Sequence, residues 1–278
     1  MLYLILTIIS SALVSILMRL SGSKVKANIA MLAVNYVMCG VVAAVYADFS
    51  LLPRVPGIGG AGLMGGINGL LYLGSFMLLQ INVQRNGVVL SSTFMKLGLL
   101  VSILTSVLFF GELPNGTQIV GFVIAVGAIV LINYDREAKG TAGFKLGLLL
   151  LMLSGGAGDT MAKVFEELGN PVLEPQFLFY TFAMALVLCV VLMGLKKQRP
   201  GKWEVLFGLL VGIPNYFSAK FLLGALETLP AVIVYPVYSV GSILVVTLAG
   251  VLLFRERLEK RQWIGLAAIL AALVLLNL

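Results

Sequence analysis

The chain has 278 residues, of which 60% are hydrophobic and 11% are charged, so it carries more apolar mass than one soluble domain could bury. Its formal net charge is +7, and it contains two cysteines and no histidine, which removes the usual residues of zinc sites, haem sites and histidine-based catalysis. The composition therefore excludes a soluble protein and predicts neither a metal nor a cofactor.

Apolar stretches of about 17–25 residues follow one another along the chain, and a helix of this length crosses a hydrocarbon core of ~30 Å. A β-barrel would need strands that alternate apolar and polar residues, whereas Leu146–Leu153 and Ile264–Leu276 are apolar on every side. The predicted spans are residues 2–20, 29–47, 58–79, 88–110, 117–134, 145–163, 175–195, 204–224, 231–254 and 260–277. We therefore expect an all-α membrane protein with ten transmembrane helices, the first of which is retained rather than cleaved.

The second half of the chain repeats the first at a constant spacing of 144 residues, without a gap. The matched pairs include Tyr36 with Tyr180, Tyr72 with Tyr216, Glu112 with Glu256 and Asn133 with Asn277. Such matches at one offset indicate an internal duplication, with a first five-helix repeat over 1–134, a linker over 135–144 and a second repeat over 145–278. Because each repeat has an odd number of spans, the second enters the bilayer from the opposite side within one integral membrane domain, as in the inverted repeats of secondary transporters.

A Glu-containing loop followed by a Gly-bearing helix occurs twice, as FFGELPNGTQIVGFVIAVGAIVLIN (Phe109–Asn133) and LFRERLEKRQWIGLAAILAALVLLN (Leu253–Asn277). With the ten spans and the inverted repeats, these segments resemble the drug/metabolite transporter (DMT) superfamily in its ten-helix EamA-like family. The resemblance implies a transporter with a central cavity that opens alternately to either side, lined mainly by helices 1, 3, 4, 6, 8 and 9. The first helix lacks the Trp-Gly pair of many relatives and keeps their basic residue as Arg19.

Basic residues are concentrated in the loops after helices 1, 3, 5, 7 and 9, whereas the opposite side contains little beyond Arg54 and Lys163. The positive-inside rule therefore predicts that these loops are cytoplasmic and that both termini are outside. The expected location is the cell membrane, with multiple passes. The positive net charge follows from this asymmetry and requires no nucleic-acid partner.

Charged residues inside apolar spans are costly and are usually functional. Lys96 is the deepest of them, because it lies roughly 12 Å into span 4 and near the midplane. Ser92 lies one helical turn before it and adds to a small polar face. We interpret Lys96 as a contact for substrate or a coupling ion; the alternative is a structural lysine that binds backbone carbonyls of a kinked neighbour.

Two prolines, Pro214 in span 8 and Pro236 in span 9, each release a backbone carbonyl and bend a helix, which is a recurrent way to build a polar site inside a membrane. Polar and aromatic residues lie around them and along one face of span 3. The candidate substrate-binding residues are Lys96, Ser92, Asn68, Tyr72, Asn215, Tyr216, Tyr235 and Tyr238. For any single tyrosine, the alternative is a core ring whose hydroxyl is satisfied locally.

A second group of charges lies toward the side opposite the basic loops. Asp159 and Lys163 are spaced one turn apart on helix 6 and can form an ion pair. Asp159 is either a proton-coupling carboxylate or part of a mutually neutralising network that closes one face of the cavity. The candidates for coupling or gating are Asp159, Lys163, Lys220, Glu227 and Arg19.

The favoured function is a secondary active transporter for a small polar metabolite, with an anionic or zwitterionic substrate preferred because Lys96 is positive. The alternatives are a flippase for an anionic or glycosylated lipid and an exporter of drug-like cations. An enzyme is not expected, because Asp159 has no carboxylate partner within its helix. The expected partners are a small-molecule substrate and the lipid bilayer, with a proton or another ion as the candidate coupling ion, and the protein is expected to act as a monomer or a homodimer.

Overall fold

A computed structural model of the chain describes residues 1–86, 91, 94–133, 145–254 and 259–278. Every regular element in these ranges is helical, so the predicted all-α class is confirmed there. The α-helices, numbered α1 to α10 in chain order, are Leu2–Ser21, Asn28–Tyr46, Ile58–Asn86, Leu99–Phe110, Gly116–Asn133, Lys145–Leu168, Glu174–Leu195, Lys202–Leu226, Ala231–Phe254 and Lys260–Leu276. A short 3-10 turn, Pro171–Leu173, precedes α7.

Within the described ranges, 7 helices are long and apolar enough to cross a membrane, namely α1, α2, α3, α6, α7, α8 and α9. Two shorter apolar helices cover Phe94–Phe110 and Gly116–Leu131, and α10 has 17 residues. The structure therefore confirms a polytopic helical protein, while the count of ten membrane crossings stays a prediction.

The same capping box begins α5 and α10. The Gln118 amide donates to Asn115 Oδ1 at 2.8 Å, and the Asn115 amide donates to Gln118 Oε1 at 3.0 Å. At α10, Glu259 and Gln262 cap each other in the same way, with 2.9 Å between Glu259 N and Gln262 Oε1. Because these reciprocal bonds satisfy amides that a helix start leaves unpaired, they fix where each helix begins. The two boxes lie 144 residues apart (259 − 115), which is the repeat spacing of the sequence.

Packing divides the chain into two compact units. Unit I contains Leu2–Leu73 and Val164–Gly224, and unit II contains Met1, Gly74–Lys163 and Ala225–Leu278. Each unit therefore combines helices from both predicted repeats.

In unit I, α2 packs along α7, and two glycine pairs bring further helices close to them. A Cβ atom on Gly65 of α3 would lie 2.6 Å from the Phe177 carbonyl oxygen of α7, and one on Gly69 would collide with the Thr181 carbonyl. These glycines therefore let α3 pack closely against α7, because only the absence of a side chain permits this approach.

The second glycine pair in unit I joins α8 to α2. A Cβ atom on Gly208 would lie 2.6 Å from Val34 Cβ, and one on Gly212 would lie 2.5 Å from Met38 Cβ. The G-x-x-x-G spacing of α8 thus repeats that of Gly65 and Gly69 on α3.

In unit II, α5 packs along α10, and α9 contacts α4, α5 and α10. A Cβ atom on Gly121 of α5 would lie 3.0 Å from Leu275 Cβ, so these helices also approach closely. Asn82, in the last turns of α3, donates from Nδ2 to the Gly147 carbonyl of α6 at 2.9 Å. These contacts hold the helices that carry the charged residues of this unit.

Candidate functional site

Lys96 and Asp159 form a pair of opposite charges inside unit II. Lys96 ends the helical turn that precedes α4, and Asp159 lies in α6. Both residues are half-buried, and the Asp159 carboxylate attracts the Lys96 ammonium. The salt bridges described outside the gaps in the structure do not include this pair, so the two charges interact without forming a salt bridge. The lysine therefore has the cross-helix acidic neighbour that an ammonium inside a membrane requires.

Two glycines set the distance between α4 and α6. A Cβ atom on Gly98 would lie 2.8 Å from the Gly156 amide nitrogen, and one on Gly156 would collide with the Gly98 carbonyl oxygen. The crossing lies two residues after Lys96 and three residues before Asp159. A side chain at either glycine would separate the two helices that carry the charges.

Hydroxyl groups strengthen this crossing. Ser102 of α4 donates from Oγ to the Gly156 carbonyl at 3.0 Å, and Thr160 donates from Oγ1 to the same carbonyl at 2.8 Å. The two hydroxyl oxygens lie 3.3 Å apart, and both side chains are buried. A carbonyl that accepts two hydrogen bonds in an apolar setting is fully satisfied, so the crossing is held by directional bonds as well as by packing.

The helix around Lys96 is interrupted at this crossing. The Gly98 amide donates to the Met95 carbonyl at 3.1 Å, and the Val101 amide donates to the Gly98 carbonyl at 2.9 Å, both with the spacing of a 3-10 turn. Leu97 and Gly98 thus have turn geometry inside the predicted span 88–110. The backbone tightens where it meets Gly156, and interrupted helices of this kind line polar sites in membrane transporters.

Tyr235 connects α9 to α6 at Asp159. Its ring is buried, and its hydroxyl donates to the main-chain carbonyl of Asp159 at 2.7 Å. It directly precedes Pro236, which lies inside α9 as predicted, while Tyr238 is half-buried one turn later. The hydroxyl of Tyr235 therefore positions the backbone that carries the Asp159 carboxylate.

Lys163 lies one turn beyond Asp159 and pairs with Glu112, which follows α4. Its Nζ lies 2.9 Å from Glu112 Oε1, and the two side chains are 4% and 13% exposed. Glu112 Oε2 also accepts the Val232 amide of α9 at 3.2 Å, so this carboxylate caps the start of α9. Lys163 thus links α6, α4 and α9, and its predicted pairing with Asp159 stays a prediction.

Asn215 in unit I lies next to Pro214 and bonds across to α2. Its Nδ2 donates to Asn35 Oδ1 at 3.2 Å and lies 3.7 Å from Cys39 Sγ. The Cys39 thiol donates to the Gly212 carbonyl at 3.3 Å. The side-chain amide of Asn215 therefore uses at least one of its protons to bind α8 to α2.

Tyr216 and Lys220 lie on the following turns of α8 and meet the ends of two other helices. Lys220 Nζ lies 3.3 Å from Glu174 Oε1, at the start of α7, and 4.4 Å from the ring centre of Tyr46, at the end of α2. The Tyr46 ring stacks on Tyr216 with 5.6 Å between centres. The Tyr216 ring is buried, and its hydroxyl has no hydrogen-bond partner in the described part of the chain.

Asn68 and Tyr72 lie on α3 and face α7 within unit I. Asn68 is buried and donates from Nδ2 to Thr181 Oγ1 at 3.4 Å, while its Oδ1 has no hydrogen-bond partner among residues outside the gaps. The Tyr72 ring meets Phe182 edge-on, with 6.5 Å between centres. These polar groups lie beside the close contact that Gly69 makes with α7.

The three remaining candidate residues are Arg19, Glu227 and Ser92. Arg19 is exposed in the last turn of α1, and Glu227 is exposed directly after α8. Ser92 lies outside the described residues. No group of three metal-binding side chains occurs in the part that the structure describes.

The candidates divide between the two units. Lys96, Asp159, Lys163, Tyr235, Tyr238 and Glu227 belong to unit II, and Asn68, Tyr72, Asn215, Tyr216, Lys220 and Arg19 belong to unit I. In unit II, the ammonium and carboxylate beside a helix interruption can bind two opposite charges of one ligand.

Sequence reasoning missed several residues that build these clusters: Asn35, Tyr46, Gly98, Ser102, Gly156, Thr160 and Glu174. The G-x-x-x-G spacing of Gly208 and Gly212 was a usable signal for the packing of α8, because small residues at this interval mark close helix pairs. Glu174 carried a weaker signal as an acidic residue at the start of an apolar span.

This chain is similar to known proteins over much or part of its length. An uncharacterized protein of Haemophilus influenzae is 26% identical over 283 residues, covering 97% of this chain and 95% of that protein. A probable 4-amino-4-deoxy-L-arabinose-phosphoundecaprenol flippase subunit, ArnE, of Proteus mirabilis is 37% identical over 62 residues, covering 22% of this chain and 54% of that protein. A solved crystal structure aligns with a TM-score of 0.75 and 16% identity over 99% of this chain and 94% of its own, which shows a shared fold.

The family profile of EamA-like transporters matches this sequence twice, over residues 1–134 and 145–278. Members of that family are transporters rather than enzymes, and the apolar helices agree with multiple passes through a membrane. The chain is thus a multi-pass membrane protein that belongs to the EamA-like transporter family of the DMT superfamily.

Proposed function

We propose that this protein is a secondary active transporter that carries a small polar metabolite across the cell membrane by alternating access. We further propose that the metabolite is anionic or zwitterionic and that Lys96 binds its negative group. The family assignment supports transport, and the Lys96 and Asp159 pair is the observation that carries the choice of substrate.

The pair favours a zwitterion over a molecule with one charge. Without substrate, Asp159 compensates the charge of Lys96. A substrate carboxylate near Lys96 and a substrate ammonium near Asp159 would each replace water with an opposite charge. A purely cationic drug would gain only from Asp159 and would be repelled by Lys96.

Alternating access follows from the duplication in this proposal. The two five-helix repeats, 1–134 and 145–278, would exchange conformations and expose the site to one side at a time. Two ion pairs, Lys163–Glu112 and Lys220–Glu174, would break or form as the helices move. Each of them joins separate helices of one unit. Asp159 would be the group that couples transport to a proton, because a carboxylate beside a lysine can change its protonation state when the substrate leaves.

A ligand screen on the purified protein tests the proposed substrate class. Amino acids, carboxylates, phosphate esters and organic cations are added separately, and the melting temperature is recorded, because a ligand that binds the native state raises it. We expect the largest shifts from zwitterions or anions, followed by uptake of the same compound into proteoliposomes. Stabilisation by organic cations alone, with uptake of those cations, would contradict the proposal.

The second candidate function is a flippase for an anionic or glycosylated lipid. The observation that favours it is the similarity over 62 residues to a protein named as a probable flippase subunit for a phosphoundecaprenol-linked sugar. The two functions separate in one assay, because proteoliposomes with fluorescent lipid report flipping and those with labelled metabolite report uptake. Accelerated lipid flipping without metabolite uptake would favour the flippase.

A further inference from the structure

An open apolar groove runs between α1 and α8 on unit I. It has a volume of about 430 Å³. Its lining residues are Ser10, Leu13, Leu17, Leu210, Ile213, Pro214, Phe217 and Phe221. Ser10 is the one polar residue of this lining, so the groove offers an apolar guest hydrocarbon contact along nearly its whole length.

The groove has the length of half a membrane. Its lining on α8 extends from Leu210 to Phe221, which is roughly 17 Å at 1.5 Å per residue. The hydrocarbon core of a bilayer is ~30 Å thick, so one leaflet contributes about 15 Å. An acyl chain therefore matches the groove in chemistry, and a chain that comes from one leaflet occupies the part of the groove nearest Leu210.

Aromatic packing marks one end of the groove. The Tyr3 ring stacks on Phe221 with 6.2 Å between centres, and a Cβ atom on Gly224 would lie 3.2 Å from the Tyr3 ring. The first turn of α1 therefore lies against the last turns of α8 here. The groove therefore ends at Phe221, and a chain in it can extend further only toward Leu210 and Leu17.

The opposite end leads to an aromatic and basic pair. Trp203 lies seven residues before Leu210 on α8 and continues the helical stripe that lines the groove, while Lys24 lies in the turn that follows α1. Lys24 Nζ lies 4.3 Å from the centre of the Trp203 ring, and both residues are exposed. Trp and Lys side by side at the ends of membrane helices are typical anchors at the level of lipid headgroups.

We propose that this groove binds one acyl chain of an anionic phospholipid, whose phosphate lies against Lys24 and whose glycerol region lies beside Trp203. Charge complementarity selects the headgroup, because Lys24 belongs to the basic set of loops that the sequence places in the cytoplasm. The distance of ~10 Å along the helix from Trp203 to Leu210 is occupied by the glycerol and the first carbons of the chain. The site uses residues of unit I and does not depend on which metabolite is transported.

Trp203 provides a direct probe of this site. The chain has two tryptophans, so Trp263→Phe leaves Trp203 as the single fluorophore. The purified variant is titrated in mild detergent with phosphatidylglycerol brominated in the upper part of its chains, and separately with phosphatidylcholine that carries the same chains. We expect saturable quenching at lower concentrations of phosphatidylglycerol, with about a fivefold preference, because one basic residue at a surface contributes ~1 kcal/mol toward an anionic lipid.

Two further variants locate the headgroup and the chain. Lys24→Gln in the single-tryptophan background is expected to remove the preference for phosphatidylglycerol while saturable quenching remains. Leu13→Phe with Ile213→Phe fills the groove and is expected to remove saturation for both lipids. Val187→Phe, at an exposed position of α7 outside the groove, is the matched control and is expected to behave like the parent.

Equal quenching by the two lipids in the parent protein would overturn the headgroup assignment. Unchanged quenching after the groove is filled would overturn the site itself, because the lipid near Trp203 would then be bound elsewhere. Native mass spectrometry of the same samples gives an independent readout, in which one retained phosphatidylglycerol per chain is expected and is lost in the filled variant. Retention of that lipid by the filled variant would also contradict the proposal.

Discussion

The hydroxyl of Tyr235 donates a hydrogen bond of 2.7 Å to the main-chain carbonyl of Asp159. The bond joins α9 to α6 at the residue whose carboxylate faces Lys96. Tyr235 is buried and directly precedes Pro236 inside α9. The position of the carboxylate therefore depends on a helix that carries neither charge.

Tyr235→Phe removes this bond and keeps the ring. We expect a folded protein that loses about 1 kcal/mol of stability, because the Asp159 carbonyl loses a partner in a buried setting. The measurement is the melting temperature of the purified variant beside Tyr3→Phe, which removes a hydroxyl from an exposed ring. Equal melting temperatures for the two variants would show that the bond does not contribute.

Gly156→Ala tests the crossing that brings Lys96 and Asp159 together. The added methyl group collides with the Gly98 carbonyl and would lie 2.6 Å from Val101 Cβ, so we expect a loss of about 1–3 kcal/mol. Gly127→Ala in α5 is the matched control, because a Cβ atom there has nothing within 4 Å. The control should be neutral or slightly stabilising, since Ala favours helices over Gly. Similar thermal stability of the two variants would mean that α4 and α6 separate without cost.

The buried pair of Lys163 and Glu112 is expected to be sensitive to the loss of one partner. Lys163→Met leaves the Glu112 carboxylate without its ion-pair partner, and breaking such a buried pair costs about 3–5 kcal/mol. Adding Glu112→Gln should recover part of this loss, because the remaining amide is neutral and keeps an oxygen for the Val232 amide. Denaturation of the single and double variants measures the difference. A double variant that is less stable than Lys163→Met would contradict this account.

The sequence predicts the class of structure well because these signals do not depend on how the helices cross. The length of the apolar stretches predicts helices, and the spacing of 144 residues anticipates the matching capping boxes at Asn115 and Glu259. Pro214 and Pro236 lie inside helices as expected. Composition, local residue patterns and repeat spacing are all visible in a single sequence.

The partners of individual side chains could not be predicted, because they depend on how distant helices cross. Asn215 had no visible link to Asn35, and the close approach of α8 to α2 at Gly208 and Gly212 brings the two amides together. Lys96 likewise meets Asp159 through a backbone contact between two glycines. An apolar chain contains many glycines, and nothing in the spacing alone identifies which of them meet.

The predicted orientation is tested by labelling single cysteines from outside the cell. A cysteine at Gln198 should resist an impermeant maleimide in intact cells and react after permeabilisation, because its loop is strongly basic. A cysteine at Leu52, an exposed residue in the loop after α2, should show the opposite behaviour. The native Cys39 and Cys189 are buried, so background labelling should be low. Labelling of Gln198→Cys in intact cells would overturn the orientation with both termini outside.

The role of Lys96 is tested most directly by ligand-induced stabilisation in charge-deleting variants of the pair. Lys96→Gln keeps much of the volume and hydrogen bonding but removes the charge, and Asp159→Asn does the same for the carboxylate. With the zwitterion or anion that stabilises the wild type, we expect Lys96→Gln to lose the shift in melting temperature, and Lys96→Arg to restore it poorly because the guanidinium is planar and larger. Asp159→Asn should reduce the melting-temperature shift caused by zwitterions more than the shift caused by simple anions. If Lys96→Gln gives the same ligand-induced shift as the wild type, the charge does not take part in recognition and the proposed substrate class is wrong.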